Sequence, residues 1–396
     1  MSTSSMLRKL KMLKPLSLIL LLPFLQGCSG HGGAKLLWQA PIASETTPIV
    51  SNGTVYIRGF HAGHPQEEAK LFALDAETGK ERWVSADAVK EVYGETGGSV
   101  FFLNKAGHLV QLNAQTGEKL HESTDSNLRI LRWAIRGDRM YVVNGSQEVV
   151  ALDSRQNKEL WRRKLPIELG TDTDLQLEGE QVIVSGHFKD SVRHFGMLWA
   201  LDAATGHEQW HFEAPPPQDF APLKVLAHGN YILATNTAPL TLHTHVLDAH
   251  TGKELYTPIG IFDLVGFHGD TVYASSGAYN LHTGQRTGEK AEWVSGSVVH
   301  NNIAWKRHYS SVGAAEAFLL RSSYDGDYQG SRDWTHTPPN SSLEGFDVVS
   351  GKSLYHTQEC KYTQFSDPVE ADGVLYHTSI AMMKEGQSGV WAFRLP

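Results

Sequence analysis

This sequence predicts an all-β fold, an eight-bladed β-propeller of four-stranded antiparallel blades in which an N-terminal strand completes the C-terminal blade. Three observations lead there. One turn phrase is spelled seven times in a single register, an alternating strand phrase precedes each copy, and the last copy stops short while a surplus strand stands near the start.

The turn phrase is clearest in Leu74-Asp75-Ala76-Glu77-Thr78-Gly79. It returns as LNAQTG (112 to 117), LDSRQN (152 to 157), LDAATG (201 to 206), LDAHTG (247 to 252), YNLHTG (279 to 284) and FDVVSG (346 to 351). An Asp or Asn side chain can cap the backbone of the following residues, and Gly supplies the positive φ that returns the chain into a strand. Asp75, Asp153, Asp202, Asp248 and Asp347 take the first role, and Gly79, Gly206, Gly252 and Gly351 the second. Asn157 stands in for Gly as the next best left-handed residue.

Four residues beyond the glycine position comes a ring in most copies: Trp83, His121, Trp161, Trp210, Tyr256 and Tyr355. A constant offset keeps each ring on one face of its strand, so these are expected to pack between neighbouring sheets. The preceding strands read GTVYI, GSVFF, DRMYV, EQVIV, GNYIL, DTVYA, NNIAW and GVLYH, which makes eight. Repeats of about 40 residues suit four strands per blade.

Closure follows from the two ends of the repeat array. Trp391-Ala392-Phe393 lacks a following turn and outer strand, while Lys35-Leu36-Leu37-Trp38 matches Lys80-Glu81-Arg82-Trp83. Adding that strand to the last blade removes two open edges. Two places depart from the pattern. The sixth repeat is too short for four full strands, and an insertion is expected in blade 7 at about 308–342.

Residues 1–27 form a separate segment. Arg8, Lys9, Lys11 and Lys14 precede an apolar run from Pro15 to Leu25, the layout of a secretory signal. Leu25-Gln26-Gly27-Cys28 resembles a lipobox, which implies cleavage before Cys28 and its acylation, palmitate included; Gln26 departs from the usual small residue there. Residues 28–34 then read as the lipid-bearing Cys and a short flexible tether, and 35–396 as one propeller domain. Losing the four basic residues leaves 31 Lys and Arg against 43 Asp and Glu. Such an acidic chain is not expected to bind nucleic acid or an anionic lipid surface. Cys28 and Cys360 are the only thiols, so no internal disulfide is expected once Cys28 is acylated.

With LFALDAETGKERW, its copies and TTPIVSNGTVYI in hand, the chain resembles the quinoprotein-like (PQQ-like) β-propeller repeat family. That resemblance implies the fold and leaves the function open, since the family holds both quinone-dependent dehydrogenases and propellers without a quinone. The dehydrogenases typically carry an adjacent Cys-Cys disulfide, Ca²⁺ ligands, a stacking Trp and a catalytic Asp. The separation of Cys28 from Cys360 and the absence of a CxxCH segment argue against that branch, so no cofactor is expected. A lipobox joined to an eight-bladed ring also resembles the BamB family of outer-membrane lipoproteins. This implies a non-catalytic scaffold, lipid-anchored at the periplasmic face of the outer membrane, with envelope proteins of the β-barrel assembly machinery as partners.

Asp325 and Asp327 form a DxD too poor in further oxygen ligands for Ca²⁺, and His243 and His245 share a strand face without a third zinc ligand, which suggests solvated strand histidines. Arg136-Gly137-Asp138 occupies the same turn slot as His268-Gly269-Asp270 and reads as a turn. No catalytic or metal-binding residue is assigned. Tyr324, Asp325, Asp327, Tyr328, Arg332 and Trp334, within the blade 7 insertion, combine the aromatic and Arg side chains that anchor interfaces, and form the candidate partner-contact loop. The alternatives to a scaffold are a propeller that binds a glycan or small ligand in its central funnel, suggested by 10 Trp and 13 Tyr, and, less favoured, a quinone-dependent dehydrogenase.

Overall fold

Alternating apolar strands separated by tight turns give eight antiparallel sheets arranged as a propeller in the computed structural model. It describes residues 30–31, 34–64, 67–123, 130–156, 158–170, 173–189, 194–214, 223–236, 244–257, 264–274, 277–287, 297–300, 303–310, 340–348, 350–357, 363–381 and 388–395. Cys28, His243, Cys360 and the six residues of the candidate partner-contact loop lie outside these.

Blade 1 is built from Ile49–Ser51, Thr54–His61, Lys70–Asp75 and Glu81–Val84 in spatial order. Blades 2 to 5 repeat that order, with outer strands Lys119–Glu122, Lys158–Lys164, Glu208–Glu213 and Glu254–Tyr256. The first strands of successive blades lie beside one another, which places them at the axis. Among the described residues blade 6 has three strands, Leu264–His268, Thr271–Ala274 and Gly277–Asn280, and a single bridge from Tyr279 to Arg286 where a fourth would begin.

The ring closes through Lys35–Ala40, which pairs with Gly389–Arg394 as the outer strand of blade 8. Blade 7 carries a further strand. Gly30 and His31 pair with Thr357 and His356 on its outer edge, so the expected flexible tether is itself partly strand. The long excursion is also narrower than the sequence suggested, because Ile303–Ser310 and Asn340–Asp347 stay in register as far as Ser310 opposite Asn340.

The core is a series of seams, each made by facing sheets. Between blades 1 and 2 it contains Tyr56, Leu71, Trp83, Val100, Phe102 and Leu112, and between blades 3 and 4 Tyr141, Val149, Val184, Trp199 and Leu201. Central strands are apolar on both faces because each sheet is covered on both sides; Ser99–Asn104 is buried throughout.

The repeated turn is built as its spelling suggests. Asp75 Oδ1 accepts bonds from the Thr78 amide and hydroxyl at 2.8 and 2.7 Å, and the same pair recurs at Asp202 with Thr205, Asp248 with Thr251 and Asp347 with Ser350. Asp153 caps the amides of Arg155 and Gln156. Arg82, then Thr78, hold the Asp75 carboxyl down at about 2. Gly79, Gly206, Gly252 and Gly351 have φ between 66° and 70°.

These glycines have a second reason to lack a side chain. A Cβ on Gly79, Gly117, Gly206 or Gly252 would fall 2.4 to 2.7 Å from the indole of Trp38, Trp83, Trp161 or Trp210 in the preceding blade. Each indole also donates from Nε1 to the carbonyl of the residue after the turn's Asp or Asn: Ala76, Ala114, Ala203 and Ala249, at 2.9 to 3.1 Å. The ring of one blade is therefore keyed to the turn of the next. Tyr256 makes the corresponding bond to the Leu281 carbonyl. His121 is exposed, and the turn it would meet is the one in which Asn157 replaces Gly. Tyr355 is buried and bonds His377 instead.

Candidate interaction face

Strand direction sorts the connections onto two faces. One face holds the links from first to second and from third to fourth strand. These are short and uniform, with left-handed residues at Asn52-Gly53, Gly97-Gly98, Gly137, Gly179, Gly229, Gly269 and Asp372-Gly373. Arg136-Gly137-Asp138 and His268-Gly269-Asp270 both sit in this set. The two turns of a blade are tied together by one amide-to-carbonyl bond, from Ala76 to Gly53, Ala114 to Gly98, Ser154 to Asp138, Ala203 to Glu180, Ala249 to Asn230, Leu281 to Asp270 and Leu395 to Gly373. Its backbone groups are largely used in holding the ring.

The opposite face holds the links from second to third strand and from blade to blade. Their lengths follow no rule: the second-to-third link is residues 275–276 in blade 6 and 311–339 in blade 7. Uneven loops on a rigid ring are where a propeller carries function. The candidate partner-contact residues 324–334 belong to the blade 7 link, outside the described residues.

Two groups on this face were not anticipated from the sequence. The first is a charged knot at the funnel mouth, where the first strands of blades 2 and 3 begin. Arg58 donates from Nε to the Val89 carbonyl at 3.0 Å. Burial lowers its pKa, against the opposing pull of Glu45 and Glu91. Glu91 is exposed, yet the chain around it raises its carboxyl above its ordinary value, and Arg132 and Lys90 partly offset that rise. Trp133 lies half-buried beside them and bonds Glu91. A cation and carboxylate set with an indole can bind a polar or charged group. The knot escapes sequence reading because Glu91 and Arg132 lie in inner strands, outside the repeated turn.

The second is a hollow between blades 3 and 4 lined by Gln147, Lys164, Pro166, Glu168, Gly170 and His187. Gln147, held at φ 68°, clamps Leu169 through both its amide and carbonyl at 2.6 and 3.1 Å. His187 Nε2 lies 3.0 Å from Glu168 Oε2, and its Nδ1 has no partner among the described residues. Lone Gln, Glu and His at unrelated positions leave no motif to find.

His245, expected on a solvated face, is 1% exposed, bonds Glu254 at 2.7 Å and packs against Phe212, since its strand is covered by blade 4. Among the described residues no three His, Cys, Asp or Glu side chains converge on a possible metal position. No helix among them is long and apolar enough to cross a membrane.

A family model described as outer membrane protein assembly factor BamB matches residues 31–133 and 129–372 of the chain. Among solved structures, BamB from Moraxella catarrhalis is similar with a TM-score of 0.53 and 13% identity, over 91% of this chain and 99% of that one. A computationally designed protein, Ika8, is similar with a TM-score of 0.56 and 14% identity, over 90% and 99%. A quinohemoprotein alcohol dehydrogenase from Pseudomonas putida HK5 gives 0.46 and 16% identity, over 92% and 76%. At these identities the structural likeness speaks to fold alone. No curated protein matches the sequence.

Proposed function

This chain belongs to the family described as outer membrane protein assembly factor BamB, and from that premise we propose that it is a non-catalytic protein-interaction scaffold of the bacterial envelope. In this reading acylated Cys28 anchors it at the periplasmic face of the outer membrane, and its partners are envelope proteins of the β-barrel assembly machinery. The observation that carries the scaffold reading is the inequality of the two faces. One is a lattice of self-bonded turns, the other a set of irregular loops with the charged knot and the hollow. A rigid ring with one variable face suits recognition of other proteins.

Crosslinking in intact envelopes followed by capture of the full chain tests this. Recovery of barrel-assembly components is expected. Their absence, under conditions in which known assembly complexes survive, overturns the reading. Mass spectrometry of the captured chain checks the anchor separately, through acyl mass on Cys28.

A second reading, a glycan or small polar ligand at the funnel mouth, draws on the Arg58, Glu91, Arg132 and Trp133 group. Saturable glycan binding lost in Trp133→Ala, with no protein captured, favours it over the scaffold.

A further inference from the structure

The outer edges of the blades are not equivalent. In blades 1 to 5 and 7 the outer strand slips by one residue where it leaves the turn, so that the residue before the ring opposes nothing, and Leu37 of the closing strand sits in the same slot. This bulge turns Leu37, Leu120, Leu160 and Leu255 outward, and all four are exposed. In blades 1 and 4 the slot holds Arg82 and Gln209, whose side chains bond Asp75 and Asp202 of their own turns. A bulge bends an edge strand away from further pairing. Beyond it, the regular edge is short in most blades, and in blade 7 it is already paired by Gly30–His31.

Blades 3 and 4 run furthest, with outer strands of 7 and 6 residues that continue in register past the bulge from Trp161 to Lys164 and from Trp210 to Glu213, one pair more than Trp38 to Ala40 of blade 8. Their charges are opposite. Glu208 and Glu213 make the blade 4 edge acidic, whereas blade 3 reads Lys158-Glu159-Leu160-Trp161-Arg162-Arg163-Lys164. Every residue of that strand except Trp161 is exposed. Arg162 is committed to Glu148 and Glu159, at 2.6 and 2.7 Å. Lys158, Arg163 and Lys164 have no ion pair among the described residues; at longer range Arg163 acts on Glu208 of blade 4 and Lys164 on Glu148, the residue opposite it. A chain with 43 acidic and 35 basic residues thus gathers four cations on the longest outer strand among the described residues, beside an exposed Leu and on the edge of its sheet, where no other described strand pairs with it.

We propose that the outer strand of blade 3, Lys158–Lys164, receives an extended acidic segment of a partner protein by strand addition. The segment's backbone pairs along Trp161–Lys164, its carboxylates meet Lys158, Arg163 and Lys164, and an apolar side chain covers Leu160. Strand addition takes affinity from main-chain bonds and selectivity from alternate side chains, so this edge selects acidic over basic segments. Lysines alone could serve only to keep edges apart, but here the cations flank four residues, Trp161 to Lys164, that stay in register past the bulge, a stretch long enough to pair. The inference rests on the scaffold reading and names the chemistry of its partner.

The test uses the full chain purified in neutral detergent and a fluorescent acidic peptide with carboxylates on both strand faces, Thr-Glu-Asp-Val-Glu-Asp-Thr-Glu, with a Lys-for-Glu/Asp version as control. Saturable binding of the acidic peptide alone is expected, with amides of 161–164 gaining protection from hydrogen exchange. The variant carrying Lys158→Glu, Arg163→Glu and Lys164→Glu should bind at least about tenfold more weakly. Leu160→Ser, which keeps every charge, should also bind more weakly. If the triple reversal fails to fold, the corresponding Gln substitutions replace it. Equal binding by the variants, protection at another blade, or self-association of the chain through this edge overturns the proposal. The same variants in the envelope capture separate the two readings: partners retained by the triple variant sink this inference and leave the scaffold standing, whereas peptide binding without any captured partner does the reverse.

Discussion

The indole nitrogen of Trp38 donates a 2.9 Å hydrogen bond to the Ala76 carbonyl, and its ring covers Gly79 so closely that a Cβ there would lie 2.5 Å from the indole carbons. This one contact joins the strand that completes blade 8 to the turn of blade 1. Tyr376 of blade 8 donates to the same carbonyl at 3.3 Å.

Trp38→Ala should therefore destabilise the ring by about 3–5 kcal/mol, the range for deleting a buried aromatic side chain. Trp38→Phe keeps most of the packing and should lose about 1 kcal/mol with the hydrogen bond. Denaturant unfolding measures both. Hydrogen exchange should show the alanine variant losing protection first in Lys35–Ala40 and its partner Gly389–Arg394.

Gly117→Ala and Gly98→Ala separate two costs that the sequence cannot distinguish. Both glycines have positive φ, 71° and 77°. A Cβ at Gly98 meets nothing within 4 Å, whereas at Gly117 it meets Trp83 at 2.7 Å. Gly98→Ala should cost about 1–2 kcal/mol of backbone strain, and Gly117→Ala that amount plus about 1–3 kcal/mol of overpacking. Equal losses in the two melts would show that the indole moves aside freely.

His377 gives the stability a pH dependence. It is fully buried between blades 7 and 8 among Tyr355, Phe365, Trp391 and Phe393, and burial lowers its pKa to about 3. The unfolded chain takes up that proton near 6.5, so between about pH 6.5 and 3 it binds more protons than the folded chain. Stability contributed by the neutral ring is complete above pH 6.5 and is lost as pH falls, with a slope approaching 1.4 kcal/mol per pH unit. His377→Gln, whose amide can still hydrogen-bond the Tyr355 hydroxyl, should flatten that slope relative to the parent when both are unfolded across this range.

The pairing of Gly30 with Thr357 predicts a crosslink. Opposed residues in an antiparallel pair lie about 4.5–5.5 Å apart, within disulfide reach. Gly30→Cys with Thr357→Cys should oxidise rapidly in folded protein, and Gly30→Cys with Arg162→Cys, on blade 3, should not. Equal rates would restore the free tether. If the pairing holds, Ser29 alone separates Cys28 from blade 7, and the outer edge of that blade is the part of the ring nearest any lipid on Cys28.

Local repetition made much of this molecule legible from its sequence. Asp75, Gly79 and Trp83 could be assigned to cap, turn and packing roles because six further copies vary around the same backbone geometry, and a tight turn admits few spellings. The closing strand was legible for the same reason, since Lys35 to Trp38 repeat a phrase whose place in a blade was already known. Only the tertiary structure showed that the glycine is needed twice, once for its φ and once for the indole from the neighbouring blade. It alone decided that His245 is covered, that Gly30 and His31 form a strand, and that Glu91 lies within electrostatic range of Arg58 and Arg132 at the funnel mouth. Those outcomes depend on which sheet faces which, a relation between residues far apart in the chain. A repeat declares its own unit from within; what gathers on the non-repeating loops and edges depends on how the units are placed around the ring.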